Sequence, residues 1–209
     1  MTPSTQNSGL VYVFTGDGKG KTSAALGVAI RGLAHGWNVD WIAFYKELSW
    51  NISEFSLPEL LVPQAQERFS LHILGKGFYL PETADTVGNK KKSIKVASVG
   101  KSGTVIDDDT PEQHLQAALA AITKAHDLLQ QSVPPELLIL DEVCNALSDG
   151  LLNWEKVQPL LQNRGKTHVV LTGRNAIPEL LDAADLVSSI EKVKHPYDSG
   201  QLAVKGLDF

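Results

Sequence analysis

The sequence has little of what marks a secreted, membrane-bound or polyanion-binding protein. Its 209 residues include one cysteine, Cys144, so no intrachain disulfide can form and a cytoplasmic location is expected. No apolar run approaches the roughly 18 residues of a membrane span, and residues 1–9 do not resemble a secretory signal. Nineteen basic and 24 acidic residues give a net charge of −5. We therefore expect neither a membrane nor a nucleic acid as a partner.

Length and composition predict one globular domain over residues 1–209. Hydrophobic residues make up 43% of the chain and charged residues 21%, which is usual for a protein with a single core. Residues 81–109 differ, because lysines and glycines surround a few apolar residues before a run of three aspartates. This region cannot build its own core, so we interpret it as an inserted loop or hairpin.

Strands and helices alternate along the rest of the chain. Short apolar runs predict buried strands at 10–14, 39–45, 69–74, 137–140 and 168–172. Helices are predicted at 22–35, from 111 onward behind a Thr110 cap, at 154–161 and at 178–184. The last stretch, 186–209, is interpreted as strands at the sheet edge. The alternation predicts a parallel sheet of the α/β class.

The first predicted helix has two features on which its packing depends. Its apolar residues recur at helical spacing on one face, which carries Leu26, Ile30 and Leu33. Small residues at 25, 29 and 32 allow a sheet to approach closely.

A glycine-rich loop between the first strand and this helix is the strongest local signal. It consists of Thr15-Gly16-Asp17-Gly18-Lys19-Gly20-Lys21-Thr22. Such a loop directs backbone N–H groups at an anion, with the helix N-terminus behind them. We expect Lys21 to face solvent and reach phosphate oxygens, and Thr22 to ligate Mg²⁺. The alternating glycines disfavour the alternative, a simple turn with solvated lysines.

Two polar groups follow other predicted strands and should lie at the same sheet edge. Asp141 and Glu142 end a buried run and are interpreted as Mg²⁺ ligands. The alternative is a pair of acids stabilised by a helix N-terminus. Arg174 ends the next run, where we expect it to contact phosphate or a second substrate. The alternative is a surface arginine after a turn.

In this order the motifs resemble the ATP:corrinoid adenosyltransferases, a family of P-loop proteins. The resemblance covers about residues 13–209 except 81–109. It is carried by Phe14–Thr22, Phe44-Tyr45-Lys46, Leu140-Asp141-Glu142, Val170–Arg174, Glu179–Val187 and the segment from Val193 to Asp208. It implies a RecA-like P-loop NTPase fold, with three layers and a mostly parallel central sheet.

The resemblance implies transfer of the 5′-deoxyadenosyl group of ATP to the cobalt(I) of a reduced corrinoid, with release of triphosphate. The pathway would be adenosylcobalamin biosynthesis or salvage, and cob(I)yrinic acid a,c-diamide is one corrinoid of the family. It also implies Mg²⁺, an electron-donating reductase and a homodimer. Cobalt(I) is a strong nucleophile and needs no general base. The alternatives are a P-loop phosphotransferase or ATPase that releases ADP, and a non-catalytic, nucleotide-dependent corrinoid-binding module.

Site residues follow from the motifs and the resemblance together. ATP is expected to contact Gly16, Asp17, Gly18, Lys19, Gly20, Lys21, Thr22 and Arg174. The metal is expected at Thr22, Asp141 and Glu142, and the catalytic residues are expected to be Lys21, Thr22 and Glu142. The corrinoid is expected at Lys46, Phe78 and Leu80, where Leu80 replaces a tryptophan of the family.

Overall fold

The computed structural model describes residues 8–50, 52–79, 92–94, 105–107 and 109–207. Across these residues, no helix is both long enough and apolar enough to cross a membrane.

A six-stranded, fully parallel sheet lies at the centre of the molecule. In chain order the strands are β1 (Val11–Thr15), β2 (Val39–Ala43), β3 (Phe69–Ile73), β4 (Lys92–Ile94), β5 (Val105–Asp107), β6 (Leu137–Asp141), β7 (His168–Thr172) and β8 (Leu186–Ser189). The sheet has the order β3-β2-β6-β7-β1-β8, while β4 and β5 form a separate antiparallel pair. β7 separates β1, which precedes the glycine loop, from β6, which carries the acids. The predicted RecA-like α/β fold is confirmed.

Helices cover both faces of the sheet and complete three layers. They are α1 (Lys21–Ala34), α2 (Leu57–Leu60), α3 (Pro63–Gln66), α4 (Pro111–Leu129), α5 (Val143–Ser148), α6 (Trp154–Gln162) and α7 (Pro178–Ala183). Helix α1 packs on one face, and the core on the other face is built with residues of α4 to α7. Helix α4 begins with the predicted capping box, in which the Gln113 N–H donates to Thr110 Oγ1 at 3.3 Å.

The packing of α1 differs from one sequence expectation. Its buried face consists of Ala25, Ala29, Gly32 and Leu33, together with Lys21. Of the apolar series Leu26, Ile30 and Leu33, Leu33 is buried and Leu26 packs against the core, whereas Ile30 is 44% exposed. The small residues lie against the sheet, as the sequence predicts, and Ile30 lies at the outer margin of the packed face. A Cβ at Gly32 would lie 3.5 Å from side-chain carbons of Leu137 in β6 and of Val39 in β2, which shows how close the helix lies to the sheet.

The prediction of several strands in 186–209 is also wrong. In the described part of this stretch, β8 is the one strand, and a 3-10 turn follows at Pro196–Ser199. The chain leaves the sheet because its next residues bond to the glycine loop instead. Ile190 accepts a hydrogen bond from the Gly18 N–H at 2.7 Å and donates its own N–H to Thr15 at 2.8 Å.

The predicted insertion at 81–109 contains the β4–β5 pair. Residues 80–91, 95–104 and 108 lie outside the described residues. The organisation as one domain with an inserted loop or hairpin therefore stays a prediction.

Candidate nucleotide-binding site

The glycine loop lies between the end of β1 and the start of α1, as the sequence predicts. Gly16 and Gly20 have φ angles of 99° and 121°, in the left-handed region that favours glycine. A Cβ at Gly16 would lie 2.5 Å from the Ile190 carbonyl oxygen, and one at Gly18 would lie 2.6 Å from that of Glu191. Larger residues would therefore push the loop away from the chain that follows β8.

Lys21 is buried within this loop, and the expectation that it faces solvent is wrong. Its side chain donates from Nζ to the carbonyl oxygens of Gly16 at 2.8 Å and Gly18 at 2.7 Å, and the residue is 7% exposed. Two carbonyl groups of the loop therefore accept hydrogen bonds from the Lys21 ammonium and compensate for its burial. Burial lowers the pKa of Lys21, while the negative charge of Glu142 opposes this shift.

Asp141 joins the glycine loop to three neighbouring strands. Its side chain is fully buried. Oδ1 accepts hydrogen bonds from the hydroxyls of Thr22 at 3.1 Å and Thr172 at 2.6 Å. Oδ2 accepts from Lys46 Nζ at 2.6 Å. Each carboxylate oxygen is therefore engaged, and the Asp141–Lys46 ion pair compensates for the burial of both charges.

Glu142 turns the chain sharply between β6 and α5. Its φ of 66° and ψ of 16° place it in the left-handed region, which a non-glycine residue rarely adopts. The backbone N–H donates to Thr172 Oγ1 at 2.9 Å, which stabilises the turn. Although Glu142 occupies the N-cap position of α5, its side chain makes no capping hydrogen bond.

The electrostatic environment of Glu142 makes its carboxyl group harder to ionise than that of an ordinary glutamate. Burial, reinforced by the charge of Asp141, raises the pKa of Glu142 to about 7. Lys46, Lys21 and Arg174 oppose this shift. A cation beside this carboxylate would favour the ionised form.

The described residues contain no cluster of three or more His, Cys, Asp or Glu side chains that could hold a metal ion alone. Magnesium commonly needs fewer protein ligands, because it keeps several waters and also binds substrate phosphates. The Thr22 hydroxyl and the Glu142 carboxylate are hard oxygen donors of the required kind. Asp141 orients Thr22, and its own oxygens already accept hydrogen bonds. The donor set therefore fits Mg²⁺ that is shared with a nucleotide.

Arg174 leaves β7 through a turn that depends on glycine. Gly173 has a φ of 136°, and a Cβ there would lie 2.4 Å from Asn145 Oδ1. The same Asn145 oxygen accepts the Arg174 N–H at 2.7 Å. Arg174 is exposed, and its charge acts on both Lys21 and Glu142. The arginine thus lies on the nucleotide side of the sheet edge.

The three residues predicted for the corrinoid have different surroundings. The ammonium of Lys46 lies on Asp141 and is 3.3 Å from Glu54 Oε1, so a corrinoid contact would require this arrangement to change. The ring of Phe78 packs against Trp50, with centroids 5.0 Å apart. Leu80 lies outside the described residues.

Several residues of this region were missed by the sequence reasoning. They are Asn145, Glu54 and Trp50. Thr172 belongs to the predicted Thr172-Gly173-Arg174 group at this sheet edge, but no role was predicted for its hydroxyl. Glu54 and Trp50 lie in a segment without clear periodicity, so no pattern indicated them.

Fold and site together define a RecA-like P-loop protein. The glycine loop follows β1, and its last threonine bonds to an aspartate at the end of β6. The chain belongs to the family described as "ATP:corrinoid adenosyltransferase BtuR/CobO/CobP", whose model matches residues 7–209.

Individual relatives have similar names. A corrinoid adenosyltransferase of Pseudomonas aeruginosa is 32% identical, over 96% of this chain and 84% of the relative. The corrinoid adenosyltransferase CobA of Salmonella typhimurium is 32% identical, over 98% of this chain and 87% of the relative. A solved structure, the flagellar accessory protein FlaH from Methanocaldococcus jannaschii, matches with a TM-score of 0.47 and 10% identity, over 88% of this chain and 71% of that one.

Proposed function

We propose that this protein transfers the 5′-deoxyadenosyl group of ATP to the cobalt(I) of a reduced corrinoid and releases triphosphate. The observation that carries the proposal is the bond between Thr22 of the glycine loop and Asp141 of β6, in a chain of the adenosyltransferase family. That bond joins the two halves of a nucleotide site.

The chemistry requires positioning and charge stabilisation rather than proton transfer. The cobalt(I) electron pair attacks C5′ of ATP and forms the cobalt–carbon bond. The C5′–O bond breaks, and its electron pair leaves with the triphosphate, so that cobalt is formally oxidised from +1 to +3. No proton moves in this step, and a general base is not needed. The protein must hold C5′ in line with the cobalt and stabilise the leaving triphosphate.

The glycine loop and its cations are suited to the triphosphate. We assign ATP contacts to residues 16–22 and to Arg174. A phosphate oxygen would replace the Gly16 and Gly18 carbonyls as the partner of Lys21 Nζ. This exchange lets the ammonium bind the ligand without leaving a buried charge unpaired. Lys19 and Arg174 add positive charge at the exposed side of the loop.

We propose that Thr22 and Glu142 hold Mg²⁺, with Asp141 orienting the threonine hydroxyl. When bound, the ion would neutralise charge on the phosphates. Lys21, Thr22 and Glu142 are then the catalytic residues. The turn at Glu142 supports its role, because Thr172 Oγ1 accepts its backbone N–H, and the charges of Lys21, Lys46 and Arg174 act on its carboxylate.

The test is to identify the products. The purified protein is incubated with ATP, Mg²⁺ and chemically reduced cobalamin, and phosphorus NMR follows the nucleotide. We expect triphosphate to form together with an adenosylated corrinoid. Release of ADP would indicate a phosphotransferase or ATPase, and the absence of any product would indicate a binding module.

The finer assignments are proposals of the same kind. We propose cob(I)yrinic acid a,c-diamide as a natural substrate, a reductase as the electron donor, a homodimer as the working form and the cytoplasm as the location. Family membership supports the first three, and the single, buried Cys144 is compatible with the last. Titration with several reduced corrinoids would rank the substrates by kcat/KM.

A further inference from the structure

A pair of aromatic rings lies on two loops of different origin, at the same sheet edge as the candidate nucleotide site. Trp50 follows β2, and Phe78 follows β3, the neighbouring strand. Their ring centroids are 5.0 Å apart, and the rings are inclined by 41°. Both residues are only partly buried, so the pair offers an apolar surface that a ligand can reach.

The contact between the two loops is specific. Gly77 has a φ of 85°, and a Cβ there would lie 2.6 Å from Glu47 Oε1 and 3.1 Å from the Trp50 ring. The Trp50 N–H donates to the Glu47 carbonyl at 3.0 Å, which closes a turn. The absence of a side chain at Gly77 therefore allows the Trp50 loop to pack directly on the Phe78 loop.

The same segment is tied to the nucleotide site. Trp50 lies between Lys46 and Glu54, whose side chains form an ion pair at 3.3 Å. The Lys46 ammonium also donates to Asp141, which in turn accepts from Thr22 at the start of α1. The segment that carries Trp50 is therefore joined to the start of α1 through the side chains of Lys46 and Asp141.

We propose that Trp50 is a corrinoid-contact residue, which presents with Phe78 the surface on which the corrin ring lies. This inference rests on the proposed adenosyl transfer, because that reaction places a broad, largely apolar macrocycle next to ATP. An aromatic pair at the carboxyl ends of β2 and β3 provides a matching surface. Lys46 then links the two substrates, with its side chain on the nucleotide side and its loop on the corrin side.

The experiment compares Trp50→Ala and Trp50→Phe with a matched variant, Trp37→Ala. Trp37 also stacks on a ring, that of His168 at 5.1 Å, but at the amino ends of the strands. Dissociation constants for cob(II)alamin at saturating ATP, and for ATP alone, are measured by absorption and by calorimetry. We expect Trp50→Ala to weaken cob(II)alamin binding by at least about tenfold, the scale of one lost stacking contact.

We expect the affinity of Trp50→Ala for ATP to stay within about twofold of the wild type, since Trp50 lies in the loop after β2 and not in the glycine loop. Trp50→Phe should retain most corrinoid binding, and Trp37→Ala should retain all of it. Unchanged cob(II)alamin binding in Trp50→Ala would overturn the proposal, as would an equal loss in Trp37→Ala.

A second measurement keeps the proposal testable if Trp50→Ala does not fold. Cob(II)alamin absorbs where tryptophan emits, so a bound corrin ring quenches nearby indoles. The quenched amplitude should fall more in Trp50→Phe than in Trp37→Phe, and an equal fall would contradict the assignment. If the wild type adenosylates a corrinoid and Trp50→Ala binds cob(II)alamin as the wild type does, this inference alone is rejected. If the wild type does not adenosylate a corrinoid, the proposed function itself is rejected.

Discussion

The nucleotide side and the aromatic side of this site are built in contrasting ways. On the nucleotide side, Asp141 lies at the end of a central strand and accepts three hydrogen bonds of 3.1 Å or less. On the aromatic side, Trp50 and Phe78 lie in loops and meet through one ring contact. In the first arrangement, strand ends position Asp141 and Thr172. In the second, loops alone determine the geometry, and loops tolerate displacement better than strand ends do.

The contrast teaches where specificity resides. A triphosphate is recognised by charge and hydrogen bonds, which require fixed geometry. A corrin ring is recognised mainly by apolar area, which tolerates small displacements. Substitutions on the nucleotide side should therefore act on chemistry and stability together, while those on the aromatic side should act on corrinoid affinity.

The largest effect is expected at the loop lysine. Under the proposed function, Lys21→Ala would remove the cation that stabilises the leaving triphosphate, so kcat/KM should fall by about 10²–10³-fold, as for other lost charge-stabilising donors. ATP binding should weaken strongly as well. Because Lys21 also satisfies two loop carbonyls, the ligand-free variant should lose some thermal stability.

The control for this prediction is Lys19→Ala, which removes an exposed loop cation. It should reduce activity much less and should leave the melting temperature close to that of the wild type. Wild-type turnover in purified Lys21→Ala would contradict the assignment of the phosphate loop.

Asp141→Asn should be the most destabilising change at the strand ends. It leaves the buried Lys46 ammonium without its closest carboxylate, a loss that costs about 3–5 kcal/mol when one partner of a buried pair is removed. Urea denaturation of the ligand-free protein measures this effect. A free energy of unfolding within about 1 kcal/mol of the wild type would show that the ion pair contributes little.

Glu142→Gln should separate activity from stability. The activity should fall, and high Mg²⁺ should restore part of it, since an amide is a weaker ligand than a carboxylate. Wild-type activity at low Mg²⁺ would remove Glu142 from the metal site and make Asp141 the candidate.

The pH dependence of stability provides an independent check on Glu142. Its pKa is about 7 in the folded protein against an ordinary value of 4.5. Between these values the folded state binds a proton that the unfolded chain has lost, so the destabilisation increases as pH rises from 4.5 to about 7 and is complete above 7. Ligand-free Glu142→Gln should therefore be more stable than the wild type at pH 8, by about 1–3 kcal/mol. Equal free energies of unfolding for the wild type and Glu142→Gln at pH 8 would contradict the burial of the Glu142 carboxylate.

Thr172→Val should have a smaller effect. It removes a hydroxyl that donates to Asp141 and accepts from the Glu142 N–H, so buried polar groups lose a partner at a cost of about 1–3 kcal/mol. Thr172→Ser keeps the hydroxyl and is the matched control. A melting temperature in Thr172→Val equal to that in Thr172→Ser would show that the hydroxyl is not needed.

The nucleotide side of the site is more predictable from sequence than the aromatic side. Asp141 and Thr172 lie at the ends of apolar runs, and parallel strands bring such ends to one sheet edge. The buried position of Lys21 was not predictable, because it depends on carbonyl groups of the loop's own backbone. The contact between Trp50 and Phe78 was not predictable either, since it depends on the close approach of two loops at Gly77.

The packing of α1 shows the limit of pattern reasoning within the fold. The small residues at 25, 29 and 32 lie against the sheet as expected, together with Leu33, but Ile30 of the same apolar series is exposed. Hydrophobic periodicity identifies the apolar residues of a helix, but the close packing of small residues decides which of them are fully buried.

The most direct test of the central claim is to follow two labels of ATP in a single turnover with chemically prepared cob(I)alamin. One ATP sample carries tritium in the adenosine, and the other carries phosphorus-32 in the γ-phosphate. Attack at C5′ predicts about one adenosine label per cobalt in the isolated corrinoid, with all γ-label recovered as inorganic triphosphate. Recovery of the γ-label as orthophosphate or in a phosphorylated acceptor, with no adenosine label in the corrinoid, would contradict the account.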